Sequence, residues 1–440
     1  MNPKTIPVYL AKHAESQDMP LPIPRPCQFV VVVPMRGEGE TIAPLIQSIE
    51  RANSTGRILI IAVVNGSKGG KETHHRANEE TLEFLKKEFA ITRCDEQSFV
   101  LGSKGKMELL IVDRASAEKR LPERQGVGLA RKIGCDIALE YRSRKIIESP
   151  WIHSSDADVV IPTDYFESSL AHDEDSKLAA LTYPFSHKTE GSIHQAIAMR
   201  LYEISLYYYV YGLEWAGSPY AYQTIGSTIA FRAWNYAAVR GFPKREAGED
   251  FYLLNKLAKT GKILCPDTSP ISIRGRFSDR VPFGTGAALN DLGLNQKALE
   301  GFQLYNPEVF EGLRATLNGF TVFAQERQLH SFHQKVVEDL GDKAEPLLGV
   351  LDKMGFSKAL KEALRQAPDA ERLEVRLRTW FDSFKTMRFL HQIRDDAYPS
   401  IPWWEAIEKA PFLKLSLSPQ GLDFGVIEAI REELSRPPTG

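Results

Sequence analysis

Four short runs of almost uninterrupted apolar residues, Gln28–Pro34, Ile58–Val64, Met107–Asp113 and Trp151–Ser155, place the strongest limit on how this 440-residue chain can fold. Between them lie stretches with helical spacing, Thr41–Ala52, Glu79–Phe89 and Gly126–Arg142. Each run is too short to be a core helix, and it is apolar at both odd and even positions. A strand of that kind is buried on both faces, which happens in a parallel sheet covered by helices on either side. The expected class is therefore α/β, with a Rossmann-like, mostly parallel central sheet. Ligands of such sheets bind beyond the carboxyl ends of the strands, so the chemistry is sought where each run stops.

The rest of the chain divides around this core. Residues 1–26 contain Pro20, Pro22, Pro24 and Pro26 and show no periodicity, which predicts an extended N-terminal arm. The α/β domain is expected over 27–290. Its second part is looser: a strand at Ala179–Tyr183, an aromatic-rich helix at His194–Trp215, a strand near Ser227–Arg232, a helix at Glu249–Thr260, then a strand and a Gly- and Arg-rich loop over Ile263–Gly286. Residues 291–440 are read as a mainly helical region, because Val309–Ala410 has helical periodicity, many charges and no strand pattern.

Global composition excludes several classes. The 55 basic and 57 acidic residues nearly cancel, so no nucleic-acid partner is expected and any phosphate recognition must be local. Cys27, Cys94, Cys135 and Cys265 have no paired spacing, which fits reduced thiols rather than a zinc site or disulfide framework. No run approaches the ~20 apolar residues of a membrane span, and the N-terminus lacks a signal-peptide core. A cytoplasmic location is expected, with peripheral membrane association through the aromatic run Leu206–Leu213 as the alternative to simple core packing.

Three segments carry chemistry. In HSSDADVVIP (residues 153–162), two carboxylates follow the fourth strand at spacing two. That spacing puts Asp156 and Asp158 on one side of an extended backbone, about 7 Å apart along the chain. Two such oxygen donors suit Mg²⁺ or Mn²⁺, which take one or two carboxylates plus phosphate oxygens and water. In REAGEDFYLLNKLAKTG (residues 245–261), an apolar stripe marks a helix whose first turn holds Glu249 and Asp250. The helix dipole favours ionised carboxylates there, as a general base requires. The opening VVVVPMRGEGETI runs from strand through proline into a polar loop, the form of a nucleotide-site mouth.

In order and separation the three segments resemble the family 2 glycosyltransferases of GT-A fold, over about Phe29–Gly286. The family's first-strand loop is matched by Pro34-Met35-Arg36-Gly37-Glu38, its DxD by Asp156-Ala157-Asp158, and its Gly-Glu-Asp by Gly248-Glu249-Asp250. GSTIAFRAWNYAAVRGFP also matches a family segment. The resemblance implies that Pro34, Arg36 and Glu38 line a nucleoside pocket. It further implies that Asp156 and Asp158 hold the donor's ribose, diphosphate and metal, and that Asp250 is the base for the acceptor hydroxyl. Arg131, in Ala130-Arg131-Lys132, corresponds to a family position and is a candidate nucleotide contact, against the alternative of a solvated helix residue. Two departures stand out: Asn65 replaces a base-contacting carboxylate, and a longer excursion, Lys68–Lys106, separates strands two and three.

Arg274, Arg276 and Arg280, interleaved with glycines, are candidates for a lid over the diphosphate. The expected activity is metal-dependent transfer of a sugar from a UDP- or GDP-linked donor to a small-molecule or glycan acceptor, with inversion. Three alternatives stay open: a retaining transferase acting on a phosphoglycerate-type acceptor, a sugar-phosphate nucleotidyltransferase, and a non-catalytic sugar-nucleotide binder. The sequence does not specify an oligomeric state.

Overall fold

The computed structural model describes residue 2 and residues 4–15, 25–94, 99–189, 191–275, 299–418 and 422–435. The chain forms two compact units, Met1–Glu190 with Thr224–Ala287, and Gly191–Gln223 with Ala288–Gly440. The aromatic helix read from the sequence as part of the α/β region thus belongs to the second unit.

The first unit opens with helix α1 (Thr5–Lys12), then β1 (Phe29–Met35), α2 (Ala43–Arg51), β2 (Ile58–Asn65) and α3 (Glu72–Glu88). A hairpin of β3 (Ala90–Cys94) and β4 (Phe99–Lys104) leads to β5 (Met107–Arg114), α4 (Gly126–Ser143) and β6 (Trp151–Ser154). Then come β7 (Val159–Val160), α5 (Tyr165–Leu170), β8 (Leu178–Thr182) and β9 (Phe185–Thr189). The chain passes through α6 (Ile193–Trp215) in the second unit and returns as β10 (Ile229–Arg232), α7 (Ala233–Ala238), α8 (Glu249–Leu257), β11 (Lys262–Leu264) and β12 (Ile271–Gly275).

Nine strands make one sheet in the order β11-β8-β10-β6-β1-β2-β5-β4-β3. β1 pairs in parallel with β2 and β6, β2 with β5, and β8 with β11. Within this sheet β10 and β4 run against the rest. Every residue of β1 and β2 is buried, as expected of central strands covered on both faces. A small second sheet, β7-β12-β9, stands beside it. The mostly parallel α/β class read from the four apolar runs is the observed one.

Glycine allows α4 to lie against this sheet. A Cβ on Gly134 would come within 2.4 Å of Val32 Cγ1, and one on Gly128 within 2.5 Å of the Pro243 carbonyl oxygen. Overpacking of this kind typically costs about 1–3 kcal/mol, so the helix sits closer than any larger residue would permit.

One expectation needs correction. The N-terminal arm is not wholly extended, since α1 folds at Thr5–Lys12. Its Tyr9 is 1% exposed and hydrogen-bonds to Asp136 of α4 at 2.5 Å, so tertiary contacts create a helix too short to hold on its own. Within the Lys68–Lys106 excursion the described residues form α3, beginning seven residues earlier than its apolar pattern, and the antiparallel β3 and β4 that continue the sheet.

The second unit is helical. Glu203 of α6 is fully buried and takes ion pairs from Arg200 at 3.1 Å and from Arg431 of helix Phe424–Leu434 at 3.4 Å. Tyr208 donates to the Tyr305 carbonyl at 2.8 Å and packs on Phe310 and Phe412, so this part of the aromatic run serves the core. Among the described residues no helix is long and apolar enough to cross a membrane. All four cysteines are free.

Candidate active site

β6 ends at Ser154 and the chain turns at Ala157 and Asp158 before β7, yet burial still alternates: Ser155, Ala157 and Val159 are buried, while Asp156 and Asp158 are partly exposed. Both carboxylates are thus the more exposed positions of the segment, with a turn and not a continued strand carrying Asp158. Pairing of β12 with β7 brings Arg274 alongside, its backbone N–H donating to the Asp158 carbonyl at 3.0 Å. The Arg274 side chain is exposed, whereas Arg276 and Arg280 lie outside the described residues.

Across from β6, α8 starts at Gly248, whose φ of +71° is a left-handed conformation that glycine adopts without strain. The two acidic residues that follow differ. Glu249 is buried at 4% exposure, while Asp250 is half-buried and its Oδ1 accepts the Phe251 backbone N–H at 2.7 Å.

Arg131 joins the two sides. From the inner face of α4 its Nε donates to Glu249 Oε1 at 2.9 Å and its Nη2 to Asp156 Oδ1 at 2.6 Å. Its Nη1 donates to Ser154 Oγ at 2.9 Å and to the Ser155 carbonyl at 3.0 Å. The residue is 2% exposed, so the guanidinium is sealed behind the carboxylates and not a solvated helix group. Burial works against its charge, but Asp156 and Glu249 more than offset this, and its pKa stands above the ordinary value. Gly226 completes the cluster: a Cβ there would lie 2.6 Å from Arg131 Nη2 and 3.4 Å from Asp250 Oδ2.

Among the described residues Arg131 pairs with Asp156 and Glu249 and also acts on Asp250, while Asp158 lies close enough to act on Asp156. Burial, then the neighbouring Glu249, pushes Asp250 up to about 7 despite the Phe251 N–H and Arg131. Burial also raises Asp156, opposed by Arg131 and reinforced by Asp158 and Glu249. A carboxylate near 7 can exchange a proton at neutral pH, as general acid–base work requires.

A second grouping lies at the ends of β1 and β2, on the same edge of the sheet because β1 neighbours β6. Pro34 is buried in the last turn of β1, Arg36 and Gly37 are half-buried, and Glu38, 9% exposed, accepts the Thr41 hydroxyl at 3.2 Å. Two residues that the sequence reading missed hold this loop. Asn78 of α3 accepts the Gly37 N–H at 2.7 Å and donates to the Asn65 carbonyl at 3.1 Å, and Thr81 accepts the Gly39 N–H at 2.8 Å. Their signal was three polar residues at helical spacing, His75, Asn78 and Thr81, in line with Leu85 and all buried. Glu249 was noted only as a neighbour of Asp250, and its ion pair with Arg131 had no sequence signal.

Among the described residues no group of three or more His, Cys, Asp or Glu is arranged to hold a metal alone. The pair Asp156 and Asp158 still fits Mg²⁺ or Mn²⁺ bound jointly with phosphate oxygens, which needs only one or two carboxylates.

No family model matches this sequence, and no curated protein matches it. Among solved structures, S. aureus TarS residues 1–349 in complex with UDP-GlcNAc aligns at 12% identity and a TM-score of 0.37, over 80% of this chain and 91% of that one. A mannosyltransferase from Pyrobaculum calidifontis, in complex with GDP-Man and Mn²⁺, aligns at 16% identity and a TM-score of 0.35, over 88% of this chain and 90% of that one.

Proposed function

We propose that this chain is a GT-A glycosyltransferase of the family 2 type, transferring a sugar from a UDP- or GDP-linked donor to an acceptor hydroxyl with inversion. The observation that carries the reading is the cluster at the carboxyl end of β6: Asp156 and Glu249 share one buried guanidinium, with Asp250 and Asp158 close by, where an α/β sheet binds its ligands. A site so rich in anions accepts a diphosphate only together with a cation. Mn²⁺ or Mg²⁺ held by Asp156 and Asp158 would supply charge neutralisation for the departing diphosphate.

The protein's own groups have separate tasks. Asp156 and Asp158 mark the leaving-group side, and Asp250 stands across the crevice as the base for the incoming hydroxyl. Attack from the side opposite the leaving diphosphate gives one displacement and an inverted anomeric centre. Pro34, Arg36, Glu38 and Asn65 form the nucleoside end, held by Asn78 and Thr81. Arg274, beside Asp158, is placed to meet phosphate charge.

Calorimetric titration of UDP and GDP, with Mn²⁺ and then with chelator, tests the reading. One nucleotide should bind with metal and lose most of its affinity without it. A matching thermal-shift screen should show a gain of about 2.7 kcal/mol when the free ligand reaches a hundred times its Kd. Equal binding in chelator, or no stabilisation by any nucleotide sugar, would overturn the proposal.

A further inference from the structure

Arg131 and Glu249 do more than line the site. We infer that they are positioning residues: the buried guanidinium is a fixed strut that sets the distance between Asp156, on the leaving-group side, and Asp250, on the acceptor side. The inference rests on the transferase reading and deepens it.

The two functional carboxylates belong to segments 94 residues apart, one after β6 and one opening α8. Arg131 grips each segment separately. On the β6 side it holds three points, Ser154 Oγ at 2.9 Å, the Ser155 carbonyl at 3.0 Å and Asp156 Oδ1 at 2.6 Å. On the α8 side it holds Glu249 Oε1 at 2.9 Å, which fixes the first turn and with it the adjacent Asp250. A planar guanidinium has five donors in a rigid fork, so these four bonds determine direction as well as distance. Lysine has no such fork. Gly226 packs against the strut, because a Cβ there would come within 2.6 Å of Arg131 Nη2 and into contact with Asp250 Oδ2 at 3.4 Å. Glu249, 4% exposed, cannot be a ligand-facing acid, so its role is to complete this bracket. Arg131 is correspondingly not a nucleotide contact.

The test perturbs the bracket in two independent ways and reads geometry as well as rate. Arg131→Met removes the strut, and a misplacement of about 1 Å should lower kcat about 10²-fold, with donor KM changed by less than tenfold. Arg131→Lys, which keeps the charge but lacks the planar fork that reaches all four acceptors, should fall between Met and wild type. Gly226→Ala, which alters no charge, should lower kcat about tenfold by pushing the guanidinium. Adding Glu249→Gln to Arg131→Met should cost little more, as expected of residues acting as a unit. All rates are taken per folded molecule, checked by thermal melts, since a purely structural role would lower the melting temperature and leave kcat alone. Normal kcat in both Arg131→Lys and Gly226→Ala would overturn the inference.

Crystal structures of the wild type and of Gly226→Ala give a readout that needs no activity. A changed separation of the Asp156 and Asp250 carboxyls supports the strut, and an unchanged one overturns it. Failure of the wild type to turn over any nucleotide sugar would instead overturn the transferase reading, and the structural comparison would still decide the inference.

Discussion

Arg131 and Lys132 are consecutive on α4, both almost fully buried, and they serve opposite kinds of charge cluster. Arg131 holds Asp156 and Glu249 and acts on Asp250, so that one positive charge meets three carboxylates, of which Asp156 and Asp250 are only half-buried. Lys132 faces away, into a sealed network whose charges balance. Its Nζ donates to Tyr9 Oη at 2.6 Å and to Asp136 Oδ2 at 3.0 Å. Asp136 in turn accepts the hydroxyls of Tyr9 at 2.5 Å and Tyr236 at 2.9 Å and the Glu15 N–H at 2.9 Å. Every acceptor position of that carboxylate is filled, so nothing is left for a ligand. The lesson is that burial of charge does not separate function from structure. The balance of charge and the openness of the cluster do.

The contrast would be broken most decisively at Asp250. Asp250→Asn keeps the volume and the helix start but removes the proton acceptor, so turnover should fall by about 10²–10⁴-fold while donor affinity stays within a few-fold, by steady-state kinetics and calorimetry. Near-normal turnover would move the retaining alternative, which needs no such base, to first place. On the sealed side the effect should be on stability instead. Lys132→Met strands the Asp136 charge, and urea unfolding should show a loss of about 3–5 kcal/mol with unchanged kcat per folded molecule.

A third measurement concerns a buried group that is neutral at physiological pH. His153 bonds the Val30 carbonyl and Ser169 Oγ inside the sheet, and burial pushes its pKa down to about 4 in spite of the Val30 bond. The unfolded chain, with an ordinary value near 6.5, takes up the proton first as pH falls. Stability from this residue is therefore complete above about 6.5 and is lost progressively down to about 4, in total about 3 kcal/mol. Denaturant melts from pH 7 to 4 should show this slope, and His153→Asn should flatten it. The smallest effect is expected at Arg274, whose exposed side chain should contribute no more than about 1 kcal/mol, so that Arg274→Ala lowers turnover by at most about fivefold. A much larger loss would mean that the segment closes on the diphosphate more tightly than an exposed arginine can.

What the sequence determined by itself was local. Apolar runs without alternation specified strands buried on both faces, DxD spacing specified two carboxylates at alternate, more exposed positions, and Gly248 before Glu249 and Asp250 specified an acidic helix start. Each follows from backbone periodicity within a few residues, and each stands in the structure as read. Tertiary structure alone decided what those pieces meet. Arg131 reaches Asp156 across 25 residues and Glu249 across 118, and Tyr9 reaches Asp136 across 127. Asn78 and Thr81 tie the β1 loop from a segment that carried no family pattern. The reason is that periodicity reports which face of an element is buried but not the partner on the other side. A buried arginine and a solvated one look alike along the chain until the sheet brings their counter-charges together.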